Sequence, residues 1–158
     1  MKNIAIIGCG AAGMMAALAA SENGHNVTIY ERNEKAGKKL FITGKGRCNI
    51  TNASDMEVIF NNIITNRKFM YSSLYTFDNN MVMDAFEKMN VGLKVERGNR
   101  VFPVSDKSSD VIKGLIEELK RKNVKIIYNS SVKKINVTNC KVNGIELSNG
   151  KVYDYKWF

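Results

Sequence analysis

The pattern of apolar and polar positions divides the two ends of the chain into strands that alternate with helices. Short apolar runs predict buried strands at residues 4–7, 27–30 and 124–128. An alanine-rich segment predicts a helix at 11–23, and a stripe of apolar positions predicts another at 110–122. Strands that alternate with helices are typical of a parallel sheet, so this pattern predicts an α/β fold of the doubly wound, Rossmann-like class.

The pattern changes to alternating apolar and polar positions after the third predicted strand. Strands are predicted at 131–136, 141–147 and 151–155. Asn149-Gly150 is a strong hairpin signal between the last two of them. We therefore expect a β-meander that follows the third parallel strand.

The middle of the chain carries a mixed pattern. Ser54 and Glu57 have the spacing of a helix capping box. Helices are predicted at 55–65, 68–77 and 79–89, and a hairpin at 93–96 and 100–102. Ser108 or Ser109 is predicted to cap the next helix. The aromatic residues of the second helix are interpreted as core or domain-interface packing rather than a stacking surface for nucleic acid; they are Phe69, Tyr71, Tyr75 and Phe77.

Three glycines with the spacing G-x-G-x-x-G separate the first strand from the first helix. Gly8 permits a tight turn, Gly10 lets a pyrophosphate approach the backbone, and Gly13 lets the helix pack against the strand. Glu31 ends the second strand, where its carboxylate would bind ribose hydroxyls and disfavour a 2′-phosphate. A signal peptide is the alternative for this stretch, but the glycines and the acidic residue argue against it. The stretch predicts a dinucleotide site.

Charge and cysteine content argue against several classes of function. The 24 Lys and Arg outnumber the 15 Asp and Glu, which gives a formal net charge of +9. Because the basic residues are scattered, a solvated surface is favoured over a nucleic-acid interface. No apolar run is long enough for a membrane span, and three separated cysteines without C-x-x-C indicate neither a zinc site nor a dithiol. We expect one cytoplasmic domain over residues 1–158, with no metal.

Residues 32–52 show neither a helical nor a strand period, and predict a loop with a short turn at 38–42. Such a loop would pass over the cofactor end of the sheet, where basic side chains and glycine N–H groups could hold oxygen atoms of a cofactor. A flexible surface loop is the alternative. A P-loop is excluded, because the sequence around Lys45 lacks an upstream glycine at the right spacing and the following Ser or Thr.

Two blocks of sequence carry a resemblance to a known family. They are A-G-K-K-L-F-I-T-G-K-G-R-C-N-I-T-N at 36–52 and G-N-R-V-F-P-V-S-D-K-S-S-D-V at 98–111. Together with the glycine turn they resemble the BaiN-like NAD(P)/FAD-dependent oxidoreductases, bacterial flavoproteins also called aminoacetone oxidase-like. The resemblance runs along the whole chain and implies FAD held by a Rossmann-type domain. The family usually has Gly where this chain has Lys45, so the loop departs from the pattern there.

The resemblance implies a set of cofactor-binding residues. The pyrophosphate is expected at Gly8, Gly10, Ala12 and Gly13, and the adenosine ribose at Glu31. The flavin side is expected at Lys39, Thr43, Gly44, Gly46, Arg47, Cys48 and Asn49. Further cofactor-binding candidates are Ala11, Arg32 and Val132, and additional site candidates are Arg100 and Pro103.

The resemblance implies an FAD-dependent oxidoreductase that transfers hydride between FAD and an unknown small-molecule substrate, with NAD(P)H as a candidate donor. No catalytic acid or base is recognisable in the sequence, and Cys48 is interpreted as a packed thiol rather than a redox group. A tRNA-modifying flavoprotein and an NAD-binding module without flavin are the alternatives.

The end of the chain suggests that the sheet is incomplete. In the resembled family another parallel strand, a substrate domain and a return segment follow this point. We therefore expect the N-terminal part of a longer flavoprotein, with Trp157 and Phe158 either starting the next strand or being non-native. Such a part is expected to bind the adenosine diphosphate half of FAD weakly and to catalyse nothing by itself.

Overall fold

The computed structural model describes residues 1–155, which form two compact units. Unit 1 contains residues 1–40 and 116–155, and unit 2 contains Phe41–Leu115. The expectation of a single domain over residues 1–158 stays a prediction. The interpretation of Trp157 and Phe158 falls outside the described residues.

The helices and strands follow one another much as the sequence pattern predicts. The helices are α1 (Ala11–Glu22), α2 (Lys38–Ile42), α3 (Met56–Asn61), α4 (Arg67–Thr76), α5 (Asn79–Lys88) and α6 (Ser108–Arg121). The strands are β1 (Asn3–Ile7), β2 (Asn26–Tyr30), β3 (Thr51–Asn52), β4 (Leu93–Glu96), β5 (Arg100–Pro103), β6 (Lys125–Ile127), β7 (Val132–Thr138), β8 (Lys141–Leu147) and β9 (Val152–Asp154). No helix within residues 1–155 is long and apolar enough to cross a membrane.

Unit 1 is built on a parallel sheet with the strand order β1-β2-β6. Ile4 pairs with Val27 in the register between β1 and β2. α1 connects these two strands and buries Met14, Ala17 and Leu18. The predicted α/β fold with a parallel sheet is confirmed. The prediction of a buried strand at 124–128 is wrong in detail, because β6 is only three residues long and is exposed or half-buried throughout; it lies at the end of the strand order.

The β-meander of unit 1 is also confirmed, as the antiparallel sheet β7-β8-β9. The first hairpin turns at Asn139 and Cys140, which both have positive φ angles, of 51° and 59°. A cluster of Tyr30, Ile145 and Leu147 joins β2 to the meander. The hydroxyl oxygens of Tyr30 and Tyr155 lie 2.9 Å apart. This packing places the start of β7 beside the carboxyl end of β2.

Unit 2 contains α3, α4, α5 and an antiparallel sheet in the order β3-β5-β4. The predicted hairpin of β4 and β5 is confirmed, with Glu96 paired to Arg100. The short strand β3 has no strand signal in the sequence; it exists because Thr51 pairs with Val101. α2 has the bounds of the short turn that the sequence predicts at 38–42. A 3₁₀ turn (Thr43–Gly46) follows it, where a loop was expected.

The capping predictions are wrong at two helices. α3 begins after Asp55 and ends at Asn61, so it is shorter than predicted. Ser54 does not cap it: its hydroxyl accepts a hydrogen bond from the Asn99 amide at 2.9 Å. α6 begins at Ser108 itself, two residues before the predicted start, and the Ser108 hydroxyl donates to the carbonyl oxygen of Phe41. Each serine hydroxyl therefore forms a hydrogen bond with a residue distant in sequence instead of capping its helix.

The aromatic side chains of α4 and its C-terminus are exposed, so the interpretation as core packing is wrong. Phe69 is 82% exposed, and Tyr71 and Tyr75 are more than half exposed. Tyr71 and Tyr75 stack on one another with ring centroids 4.4 Å apart. The alternative interpretation, that these residues pack at a domain interface, stays a prediction.

Candidate functional site

The turn between β1 and α1 depends on two of its glycines for reasons visible in the structure. Gly8 has a φ of +95°, a conformation that costs glycine little. A Cβ atom on Gly13 would lie 2.0 Å from the carbonyl oxygen of Gly8. The Gly8 N–H donates to the carbonyl oxygen of Tyr30 at 2.8 Å, which ties the turn to β2. The close approach of α1 to the turn therefore excludes any side chain at Gly13.

The N-terminus of α1 presents open backbone. Gly10 is the N-cap, and no side chain of the described residues caps the helix there. The first turn of a helix has N–H groups without intrahelical partners, and they attract anions. A Cβ atom on Gly8 or Gly10 would meet no atom within 4 Å. A ligand can therefore approach the backbone closely at Gly8 and Gly10.

Glu31 links this turn to the end of β2. Its side chain is buried, and Oε2 accepts the N–H of Cys9 at 2.6 Å. Oε1 accepts both the backbone N–H and the side-chain amide of Asn33, at 2.8 and 2.6 Å. Burial raises the pKa of Glu31, but these hydrogen bonds outweigh burial and hold the pKa below its ordinary value. The carboxylate is therefore ionised at neutral pH, and Oε2 retains a lone pair for a further donor.

A cavity of about 680 Å³ in unit 1 opens at this turn. It brings together six of the predicted cofactor-binding residues: Gly8, Gly10, Glu31, Arg32, Lys39 and Val132. Ala11, Ala12 and Gly13 follow Gly10 in the first turn of α1. Arg32, Lys38 and Lys39 give the cavity more positive than negative charge. This combination suits an anionic ligand with a polar ring.

The cavity also contains residues that the sequence analysis missed, among them Cys9, Asn33 and Ser130. Asn33 could have been suspected, because an Asn two residues after a strand-end carboxylate is placed to bind it. Ser130 gave no local signal. It reaches the cavity because its N–H donates to the carbonyl oxygen of Glu31 at 2.8 Å, which joins the end of β6 to the end of β2.

The remaining predicted cofactor residues lie in unit 2, within residues 43–49. Gly44, Lys45, Gly46 and Cys48 all have positive φ angles there. The Cys48 thiol is buried, and burial raises its pKa above the ordinary value. This agrees with a packed thiol rather than a reactive one. We call residues 43–49 the glycine loop.

The Arg47 side chain extends from the glycine loop to a charged cluster formed by residues of β4 and by Asp106. Its guanidinium donates to both carboxylate oxygens of Glu96, at 2.9 and 3.2 Å, and to Asp106 at 3.1 Å. It also lies over the Phe102 ring, 4.1 Å from the centroid. Lys94 forms ion pairs with the same two carboxylates. The cluster thus contains two cations and two anions.

The additional candidates Arg100 and Pro103 occupy different environments in β5. Arg100 is exposed, and its Nε donates to the carbonyl oxygen of Arg97 at 3.0 Å. Pro103 is buried and pairs with Leu93 in the sheet. The structure does not assign Arg100 or Pro103 to the cavity of unit 1.

Within residues 1–155, no group of three or more His, Cys, Asp or Glu side chains could hold a metal ion.

The sequence matches the HI0933-like protein Rossmann domain over residues 2–156. The chain belongs to this family. The family resemblance predicted from the two sequence blocks is confirmed. The HI0933-like domain here is 36% identical over 128 residues to the 3-dehydro-bile acid delta(4,6)-reductase of Clostridium scindens, a match that covers 80% of this chain and 31% of that protein. It is 28% identical over 127 residues to the ribosomal RNA dihydrouridine synthase of Escherichia coli, again covering 80% and 31%.

Solved structures share the fold of this HI0933-like domain at low sequence identity. Glycine oxidase of Bacillus cereus has a TM-score of 0.63 and 15% identity, over 98% of this chain and 55% of that one. Thermovibrio ammonificans THI4 has a TM-score of 0.62 and 11% identity, over 93% and 47%. At these identities the likeness shows the fold alone. The chain spans about a third of the length of the curated relatives it matches.

Proposed function

We propose that this chain forms the FAD-binding part of a flavin-dependent oxidoreductase. The observation that carries the proposal is that Glu31 and the glycine turn are joined through the Cys9 N–H and open into one cavity. FAD fits the donors and acceptors present: open backbone N–H groups and basic side chains suit its pyrophosphate, and a buried, ionised carboxylate suits its ribose.

Each group of residues would hold a different part of the cofactor. Gly8, Gly10 and the N-terminus of α1 would bind the pyrophosphate, and Glu31 would accept hydrogen bonds from the adenosine ribose. Arg32 and Lys39 would add positive charge, and Val132 would offer an apolar contact. The glycine loop of unit 2 would contribute to binding on the flavin side, as the family resemblance implies.

The cofactor would supply the redox chemistry. Bound FAD accepts and donates hydride, while the protein orients it and excludes side reactions. The Cys9 thiol, which lines the cavity, is a poor candidate for chemistry. Burial, together with the nearby Glu31 carboxylate, raises the pKa of Cys9 to about 11, so the thiol stays protonated at neutral pH. We propose that the residues of the cavity act by binding and positioning the cofactor.

The substrate would be a small molecule, with NAD(P)H as the hydride donor. The support for a small-molecule substrate is the reductase of Clostridium scindens, which is named for a bile-acid substrate and is 36% identical to this chain over 128 residues. NAD(P)H as the donor rests on the family resemblance alone. We also expect the protein to work in the cytoplasm, where its three free thiols would stay reduced.

FAD titration tests this proposal. Purified protein should show visible flavin absorbance, or quench flavin fluorescence on titration with FAD. Glu31→Arg should weaken binding at least about tenfold, because the ribose acceptor is replaced by a cation. Lys35→Glu, also a charge reversal but at a position that does not line the cavity, is the control. An FAD affinity unchanged by Glu31→Arg would contradict the ribose assignment.

RNA modification is a second candidate function. Relatives from Escherichia coli and Haemophilus influenzae, 28% and 26% identical, are named ribosomal RNA dihydrouridine synthases, and the net charge of +9 would suit an RNA partner. Binding of a fluorescent ribosomal RNA hairpin that weakens steeply with added salt would support this candidate. Absence of binding at low salt would favour the small-molecule substrate.

A further inference from the structure

The glycine loop holds a backbone conformation that its own sequence disfavours. Gly44, Lys45 and Gly46 have φ angles of 55°, 56° and 84°, and Cys48 has a φ angle of 61°. The positive φ region is easy for glycine but unfavourable for Lys and Cys. Something outside the local sequence must therefore stabilise this conformation.

Two backbone hydrogen bonds lie within the loop. The Arg47 N–H donates to the Gly44 carbonyl oxygen at 3.2 Å, and the Cys48 N–H donates to that of Thr43 at 3.1 Å. Both bonds close short turns within the loop. The next backbone bond, from the Ile50 N–H to the Val101 carbonyl oxygen at 2.9 Å, belongs to the sheet that follows.

The Arg47 side chain connects the loop to residues that are distant in sequence. It lies between the positive φ residues Gly46 and Cys48, and its guanidinium reaches Glu96 and Asp106, which are 49 and 59 residues away in sequence. The two hydrogen bonds to Glu96 are the bidentate, planar geometry that arginine provides and lysine cannot. One face of the guanidinium is also covered by the Phe102 ring.

These contacts leave the guanidinium little capacity for a cofactor phosphate. Glu96 and Asp106 balance the charges of Arg47 and Lys94 within one cluster. Arg47 holds the pKa of Glu96 below its ordinary value, and Lys94, with Arg47, does the same for Asp106. Both carboxylates are therefore charged at neutral pH, and an added phosphate would compete with two anions already in place.

We infer that Arg47 is a positioning residue: it fixes the glycine loop to the β4–β5 hairpin and to Asp106 so that the loop backbone, rather than the guanidinium, meets the cofactor. The inference rests on the proposed function, in which the loop contributes to FAD binding. It assigns a role to Glu96 and Asp106 as well, although neither is expected to touch the cofactor.

Three matched variants test this role: Arg47→Gln, Glu96→Gln and, as the control, Arg97→Gln. Arg97 is an exposed arginine of the same hairpin. Two readouts are needed. Hydrogen exchange at the Cys48 amide reports loop order without any cofactor, with the Ile50 amide as a check that the sheet is intact. Fluorescence titration reports the affinity for FAD.

We expect Arg47→Gln and Glu96→Gln each to speed exchange at Cys48 and to weaken FAD binding, both by roughly three- to tenfold. Ile50 should stay protected, and Arg97→Gln should change neither readout. Glu96→Gln is decisive, since an acidic residue cannot be a phosphate ligand. Loss of affinity together with faster exchange at Cys48 in both variants means that Arg47 acts through the loop.

Other results would overturn the inference. Unchanged exchange at Cys48 in Arg47→Gln would show that the arginine does not hold the loop. Weaker FAD binding in Arg47→Gln alone would show direct contact with the cofactor, and faster exchange without loss of affinity would show that loop order does not serve binding. If the unmodified chain takes up no FAD, the proposed function fails, and the cofactor part of the inference fails with it. The exchange data then still decide whether Arg47 holds the loop.

Discussion

The glycine turn of unit 1 and the glycine loop of unit 2 both carry the backbone into positive φ angles, but they are stabilised differently. In the turn, the positive φ falls on a glycine, Gly8, and backbone hydrogen bonds plus one buried carboxylate hold the structure. In the loop, Lys45 and Cys48 take positive φ angles, and half-exposed charged side chains hold it.

Because they are stabilised differently, the turn and the loop should respond differently to mutation and to salt. Buried hydrogen bonds and steric contacts are hardly screened by salt, whereas exposed ion pairs are weakened by it. The turn should therefore lose its conformation only when a substitution removes its hydrogen bonds or introduces a steric clash. The loop should loosen under mild changes of charge or ionic strength.

The largest expected effect is at Gly13. In Gly13→Ala the new Cβ atom would lie 2.0 Å from the Gly8 carbonyl oxygen, and backbone must move to relieve it. We expect a loss of about 3 kcal/mol or more in the free energy of unfolding, measured by denaturant titration. Gly10→Ala is the matched control, because its Cβ atom meets nothing within 4 Å.

Gly10→Ala should keep the stability of the fold but weaken FAD binding, since the methyl group stands where the pyrophosphate is proposed to approach. The pair thus separates the packing role of one glycine from the binding role of the other. Equal stability of Gly13→Ala and Gly10→Ala would contradict the account of the turn given by the structure.

Glu31→Gln should have the next largest effect. The carboxylate accepts three N–H groups from Cys9 and Asn33, and an amide would place its own donor against one of them. We expect a loss of roughly 2 kcal/mol in the free energy of unfolding without any cofactor. Glu34→Gln removes an exposed carboxylate that pairs with Lys38 at 3.1 Å, and it should leave stability unchanged. Equal effects would show that Glu31 serves the ligand only.

The two regions also differ in how far the sequence predicts them. The strand, glycine turn, helix and second strand of unit 1 were predictable because each step has a local signal: an apolar run, a glycine spacing and an alanine-rich segment. The hydrogen bond between the Cys9 N–H and Glu31 was not predicted, because it depends on how the turn packs against the end of β2. Ser130 could not be predicted, because only the pairing of β2 with β6 brings it to the cavity.

Unit 2 was predicted less well, because its structure depends on contacts between residues that are distant in sequence. β3 forms through its pairing with β5, and Ser54 binds Asn99 rather than capping α3. The partners of Arg47 lie on the hairpin and at Asp106, and no spacing rule connects them to the loop. The sequence block of 36–52 indicated a family and a cofactor, but the interactions that shape the loop depend on tertiary contacts.

Acid should weaken unit 1 through Glu31. Its pKa in the folded protein lies below the ordinary value, so its ionised form contributes stability above the unfolded pKa of about 4.3. That contribution is lost as the pH falls through the folded pKa. The difference in unfolding free energy between the unmodified protein and Glu31→Gln should therefore be constant at neutral pH and shrink below about pH 4. A difference that grows in acid would mean that the sign of the pKa shift is wrong.

The smallest expected effect compares two buried thiols, Cys9 in the turn and Cys48 in the loop. Both are nearly inaccessible and have raised pKa values, so each should react with iodoacetamide more slowly than the exposed Cys140. Reaction of a buried thiol requires local opening. Because partly exposed ion pairs hold the loop, added salt should speed alkylation of Cys48 about two- to threefold and leave Cys9 unchanged. Mass spectrometry of peptides over time measures both rates in one sample. Equal salt dependence at the two thiols would mean that the turn and the loop open together, and that the Arg47 cluster does not set the order of the loop.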